Sequence, residues 1–132
     1  MNRNTGMNAG QIIGTMGGKQ VVGLDIAKHV FQLHTVDMST GEIANVQIKR
    51  AKVLEHFVNK PKSLIALEAC GGAHHWAREL TALGHTVRLL HAKIVRPFVS
   101  GNKTDATDAR AIWLAVQQPG VKFVGIKTAA QQ

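Results

Sequence analysis

A chain of 132 residues has length for one real core and little beyond it. With 45% hydrophobic residues it should fold, yet no apolar run approaches the roughly 20 residues that cross a bilayer, which excludes a membrane-spanning helix. The single cysteine, Cys70, excludes an internal disulfide framework and fits a reducing cytoplasm. Sixteen Lys and Arg against eight Asp and Glu give a net charge of +8. Such an excess favours a polyanion partner, because each neutralised phosphate releases counterions; the bland alternative is a basic surface with no partner.

In chain order, residues 1–19 are rich in Gly and Asn, lack the compact apolar stretch of a secretory signal, and read as a flexible lead-in. The domain proper is expected over 20–127. Gln20–Asp25 is a short apolar run ending in an acid, a candidate buried strand. Val30–Val36 alternates apolar and polar residues as a half-buried strand should. After a turn at Ser39-Thr40-Gly41, Glu42–Lys49 alternates again, with Ile43, Val46 and Ile48 expected to point inward. These three segments read as an antiparallel meander. Val53, Leu54, Phe57 and Val58 then follow helical spacing, and Pro61 stops that helix. Ser63–Leu67 is an apolar strand ending at Glu68. Trp76, Leu80 and Leu83 mark a helix closed by Gly84, and Thr86–Leu90 is a further strand. A last helix is expected from near Thr104, carrying Ala109, Ile112, Trp113 and Val116 and ending at Pro119-Gly120. Val121–Ile126 reads as a short extended piece, and Thr128–Gln132 as a chain that is cut or runs on. The order β-β-β-α-β-α-β-α implies an α/β domain with a mixed sheet and helices on its faces.

Four of the eight acids occupy three places that look chosen. Asp25 ends the first strand and Glu68 the fourth, which in this order lies parallel to the first. Both carboxylates then project from the same end of neighbouring strands. Asp105 and Asp108 lie three apart in the first turn of the last helix and share a face. If that helix packs beside the strand ends, four carboxylates converge, and such groups repel unless a cation sits between them. Mg²⁺ or Mn²⁺ suits a sparse all-oxygen site. Two such ions about 4 Å apart can activate the attacking oxygen and stabilise the leaving oxygen of a phosphodiester. Each acid also has a structural reading: a turn for Asp25, an ion pair for Glu68, a cap and a helix-dipole charge for Asp105 and Asp108.

Supporting residues follow from position. Lys103 adjoins the last acidic pair and Lys28 the first, so either can contact phosphate or remain a solvated lysine. His74, His75 and Arg78 start the helix after Glu68, where backbone N–H groups favour anions; the alternative is a polar helix face in water. Adjacent His74 and His75 would point about 100° apart on a helix, which argues against a shared metal. Trp76 and Trp113 fall among helical apolar positions and are expected in the core.

The runs Val22-Gly23-Leu24-Asp25-Ile26-Ala27-Lys28, Leu67-Glu68-Ala69-Cys70-Gly71 and Asn102-Lys103-Thr104-Asp105-Ala106-Thr107-Asp108-Ala109 resemble the three acidic motifs of insertion-sequence transposases. The nuclease domain of that group, which includes the pilin-gene invertases, is similar to the RuvC Holliday-junction resolvase. The resemblance covers about residues 20–127 and implies a ribonuclease H-like (RuvC-like) fold. It further implies a DEDD tetrad of Asp25, Glu68, Asp105 and Asp108 holding Mg²⁺ or Mn²⁺, two ions in all. DNA, branched DNA included, is the implied substrate, and strand cleavage and rejoining in transposition the implied reaction. Relatives of this kind carry a following C-terminal domain with a nucleophilic serine, which this chain lacks, so activity of the domain alone is not implied. A structured RNA from the element and a homo-oligomer of the full-length protein are further implied partners, in the bacterial cytoplasm on nucleoid DNA and with no membrane. Two rivals remain. One is a non-catalytic nucleic-acid-binding or assembly module of the same fold. The other is an actin-like or sugar-kinase-type ATP-binding domain, disfavoured because Ile26-Ala27-Lys28-His29 offers no glycine for a phosphate-cradling turn.

Overall fold

Five extended segments, β1 (Gln20–Asp25), β2 (Val30–Val36), β3 (Ile43–Lys49), β4 (Ser63–Glu68) and β5 (Thr86–Leu90), form one sheet in the order β3-β2-β1-β4-β5. The computed structural model describes residues 16–101 and 105–132, apart from the side chains at 105–107. β1, β2 and β3 pair antiparallel through short links, while β4 runs parallel to both β1 and β5. In the second link the Asp37 carboxylate accepts the Ser39 backbone N–H at 2.9 Å and its hydroxyl at 2.6 Å, closing the turn. Parallel neighbours need crossovers, and these contain α1 (Val53–Val58) and α2 (Ala73–Ala82). The last helix, α4, spans Asp105–Val116.

Between β5 and α4 lies an element absent from the expected order: α3 (Ala92–Val95), a single turn that tightens into a 3₁₀ turn at Arg96–Phe98. Four residues are too few to display a helical period, and Pro97 sits where a helical turn tolerates it.

Strand alternation sorts the core into two layers. Val22, Leu24, Phe31, Ile65 and Leu67 meet Phe57 of α1 and Trp76 and Leu80 of α2. Val21, Leu64, Ala66 and Leu90 point the other way, onto Ile112, Trp113 and Val116 of α4. β4 is buried on both faces, as its unbroken SLIAL run requires. Both tryptophans are core residues, each 6% exposed.

The expectation for β3 needs correction. Ile48 is buried, but Ile43 is 60% exposed and Val46 38%. Ile43 differs in parity from the other two, so the three cannot share a face, and β3 is the sheet edge, where covering is thinnest. Buried His85 was also not foreseen. Its Nδ1 accepts the Ser63 N–H at 3.1 Å, so Nε2 carries the proton and donates to the Phe57 carbonyl at 2.9 Å. The imidazole thereby ties the end of α1 to the start of β4.

Candidate carboxylate site

β1 and β4 pair in parallel with a constant offset, Gln20 beside Ser63 through Gly23 beside Ala66. Two residues further along both strands, that register sets Asp25 beside Glu68, on backbones about 4.8 Å apart. Both acids have the parity of Val21, Gly23 and Ala66 and so belong to the face that α4 covers. On the other side of β1, Asp25 is registered with Gln32 of β2. The end of the sheet therefore carries a polar row, Gln32, Asp25 and Glu68, closed by Leu90 of β5. Asp25 and Glu68 are half-buried and Gln32 is 6% exposed.

The approach of α4 to this row rests on Gly23. A Cβ built there would lie 2.3 Å from the Ala109 carbonyl oxygen and 2.8 Å from the Trp113 nitrogen. Glycine thus lets the helix backbone settle directly on β1. The Trp113 indole N–H donates to the Val21 carbonyl at 3.2 Å, fixing the helix along the strand. His34, next on the same face, packs edge-on to Trp113 with ring centroids 5.3 Å apart and shares a 2.8 Å hydrogen bond with Asn45. Burial, reinforced by the nearby Arg110 charge, holds the His34 pKa below its ordinary value, against the Asn45 bond that raises it.

So docked, α4 brings Asp108 to Glu68. The two line one cavity of about 140 Å³, whose wall is completed by Ala92, Val95, Arg96 and Val99. The short helix α3 and its 3₁₀ extension thus form one side of the site. Arg96 and Gln32 are the residues that sequence reading missed. Gln32 left only a weak trace, as the polar member between Phe31 and Leu33; Arg96 left none.

Of the expected tetrad, the fold assembles Asp25, Glu68 and Asp108 around one end of the sheet, and Asp105 begins the same helix as Asp108. The Asp105 side chain lies outside the described residues, as does Lys103. Among the described residues, no three His, Cys, Asp or Glu side chains form a ready metal-holding group. The donors are nonetheless all oxygen, which fits a hard divalent cation, and Cys70 is exposed on the following turn.

The other expected anion-binding residues are differently disposed. His75 is exposed and edges onto Trp76 at 5.4 Å. His74, expected beside phosphate or water, is instead buried, and its Nδ1 accepts the Lys127 N–H at 3.0 Å. Arg78 donates to the Lys127 carbonyl at 2.5 Å. Both hold the segment after α4, which also pairs Val124 with Leu89 at the β5 edge. Lys28 is exposed on the β1–β2 link.

No protein-family model matches the chain. It is 50% identical over 111 residues to a Pseudomonas aeruginosa protein named "Probable family 20 transposase", covering 84% of this chain and 33% of that protein. It is 35% identical over 112 residues to the transposase for insertion sequence element IS1328 of Yersinia enterocolitica, covering 85% of this chain and 34% of the relative. The match to the transposase for insertion sequence element IS1111A of Coxiella burnetii is 37% over 113 residues, 86% of this chain and 31% of the relative. The chain spans about a third of the length of the curated relatives it matches. No helix among the described residues is long and apolar enough to cross a membrane.

Proposed function

We propose that this chain, homologous over most of its length to a part of insertion-sequence transposases, is their ribonuclease H-like nuclease segment and serves DNA strand cleavage and rejoining in transposition. The observation that carries the reading is the register that sets Asp25 beside Glu68, with Asp108 delivered to the cavity that Glu68 lines by a helix that only a glycine admits.

Asp25, Glu68, Asp105 and Asp108 would hold Mg²⁺ or Mn²⁺. Bound there, the ions supply activation of an attacking oxygen and charge stabilisation of a leaving one. Arg96, on the cavity wall, contributes positive charge where a phosphodiester approaches the carboxylates. Gln32 stands beside Asp25 in the strand register as a polar neighbour, and the closely docked α4 excludes water from the inner side of the site. In this reading the segment's share is to bind the strand and position it at the carboxylates.

The test is Mn²⁺ titration calorimetry on this chain, wild type against Asp25→Asn and Glu68→Gln, with and without a branched DNA. Metal binding that weakens at least about tenfold in both variants is expected, equivalent to about 1.4 kcal/mol. Metal binding indifferent to Asp25 overturns the site. Absence of Mn²⁺ binding by a wild type that still binds DNA points instead to a non-catalytic binding module. In the full-length protein, Asp25→Asn and Asp108→Asn should each abolish metal-dependent strand transfer without unfolding the chain.

A further inference from the structure

A second concave surface lies at the same end of the sheet, on the face opposite α4. It is a cleft of about 580 Å³ lined by Lys28 and His29 of the β1–β2 link, Val30, Lys49, Arg50, Ala51 and Trp76. Strand pairing builds it: Val30 is registered with Lys49, and the Arg50 N–H donates to the His29 carbonyl at 2.7 Å. Lys28 thus meets Lys49 and Arg50, more than 20 residues later in sequence, at one rim. Lys28, Lys49 and Arg50 are exposed, and none is ion-paired among the described residues, where Lys52–Glu55 is the pair seen.

Arg50 is held in place, unlike an ordinary surface arginine. Its guanidinium lies 5.3 Å from the Trp76 ring centroid and 5.8 Å from that of Phe31, and Nη1 donates to the Ala27 carbonyl at 3.3 Å. A guanidinium fixed on two rings keeps most of its five donors in a planar fork suited to phosphate oxygens. Below it, the Trp76 indole N–H is buried with no hydrogen-bond partner among the described residues, an unsatisfied donor of a kind native interiors seldom keep. Trp76 is only 6% exposed, so it offers no face for base stacking.

We propose that this cleft binds the phosphodiester backbone of a nucleic-acid strand, without reading its bases, next to the strand held at the carboxylates. The assignment rests on the nucleic-acid reading above and adds a site to it. The β1–β2 link joins the two places directly, since Lys28 follows Asp25 by three residues. A strand turning over this end of the sheet meets acids with metal on one face and fixed cations on the other. DNA and RNA share the chemistry that the cleft recognises.

The experiment is fluorescence anisotropy in EDTA, with labelled 20-nucleotide DNA and RNA single strands of matching sequence, over a range of salt. Wild type is compared with Lys28→Ala/Lys49→Ala, with Arg50→Lys, and with Lys60→Ala/Lys122→Ala as a charge-matched control, each checked for folding by circular dichroism. The first double variant should lower the slope of log affinity against log salt by about 1.4, two contacts at about 0.7 each on a single strand. Arg50→Lys should weaken binding several-fold with the slope unchanged, because the charge stays and the fork is lost. The control should match wild type. Loss with one polymer only identifies which strand the cleft takes. Slopes equal in wild type and the Lys28/Lys49 variant, or equal losses in the control, overturn the cleft while leaving a nucleic-acid role elsewhere. Absence of binding by wild type to either strand overturns the cleft and the nucleic-acid reading together, whereas the Mn²⁺ titration bears on the carboxylates alone.

Discussion

Gly23→Ala adds one methyl group at the contact on which the carboxylate site depends. The new Cβ would stand 2.3 Å from the Ala109 carbonyl oxygen and 2.9 Å from the Trp113 Cβ. A tolerable C···O separation is about 3.3 Å or more, so α4 must retreat by about 1 Å. Both obstructions are helix backbone or its first side-chain carbon, and neither can swing aside. A gap of about 0.5–1 Å forfeits a quarter to a half of the dispersion energy of each contact it opens, here those of buried Ile112, Trp113 and Val116. Overpacking of this kind costs about 1–3 kcal/mol. At roughly 4 °C per kcal/mol for a domain of this size, Tm should fall by about 4–12 °C. Because Asp108 moves with the helix, Mn²⁺ affinity should fall in the same variant although no acid has changed. Scanning calorimetry and amide hydrogen exchange across α4 are the assays. An unchanged Tm with α4 as protected as in wild type would refute the close-approach argument, and with it the route by which Asp108 reaches Glu68.

Stability should decline on the acid side of neutrality. His34 and His56 both have pKa values lowered chiefly by burial, so the unfolded chain binds protons more readily than the folded one. Their contribution is present above the unfolded value of about 6.5 and is lost as pH falls through the lower folded values. Thermal melts from pH 7.5 to 5 should show Tm falling, with His34→Gln losing part of that slope; an identical slope in the variant would contradict the burial argument. His85→Ala strands the Ser63 N–H and the Phe57 carbonyl, each at about 1–3 kcal/mol. The urea midpoint should drop with little change in m, and a midpoint equal to wild type would show that the two groups find other partners.

Much of the architecture was legible because it depends on periodicity. Alternation in VFQLHTV and helical spacing around Trp76 are local signals, and they place the strands and main helices close to where they occur. The acids at the ends of two apolar runs were legible for the same reason, since a carboxylate closing a buried strand is conspicuous against its neighbours. What failed was short or cooperative. α3 is a single turn with no period to read, yet it walls the cavity beside Glu68. Ile43 and Val46 look inward by hydrophobicity, but whether an edge strand is covered depends on helices elsewhere in the chain. His74 reads as a polar helix residue, and its burial comes from a segment more than fifty residues later.

The sequence by itself determined the α/β class, the strand that bears Asp25, the strand that bears Glu68 and the helix that bears Asp108. Only the tertiary structure decided how these are placed, Asp25 in register beside Glu68 and Asp108 on the cavity that Glu68 lines, because register between β1 and β4 is set by packing across the whole sheet. It also decided the purpose of Gly23, whose missing side chain has meaning only once a helix lies against it. The rim of Lys28, Lys49 and Arg50 is likewise a product of strand pairing, which brings together charges that the linear chain keeps apart.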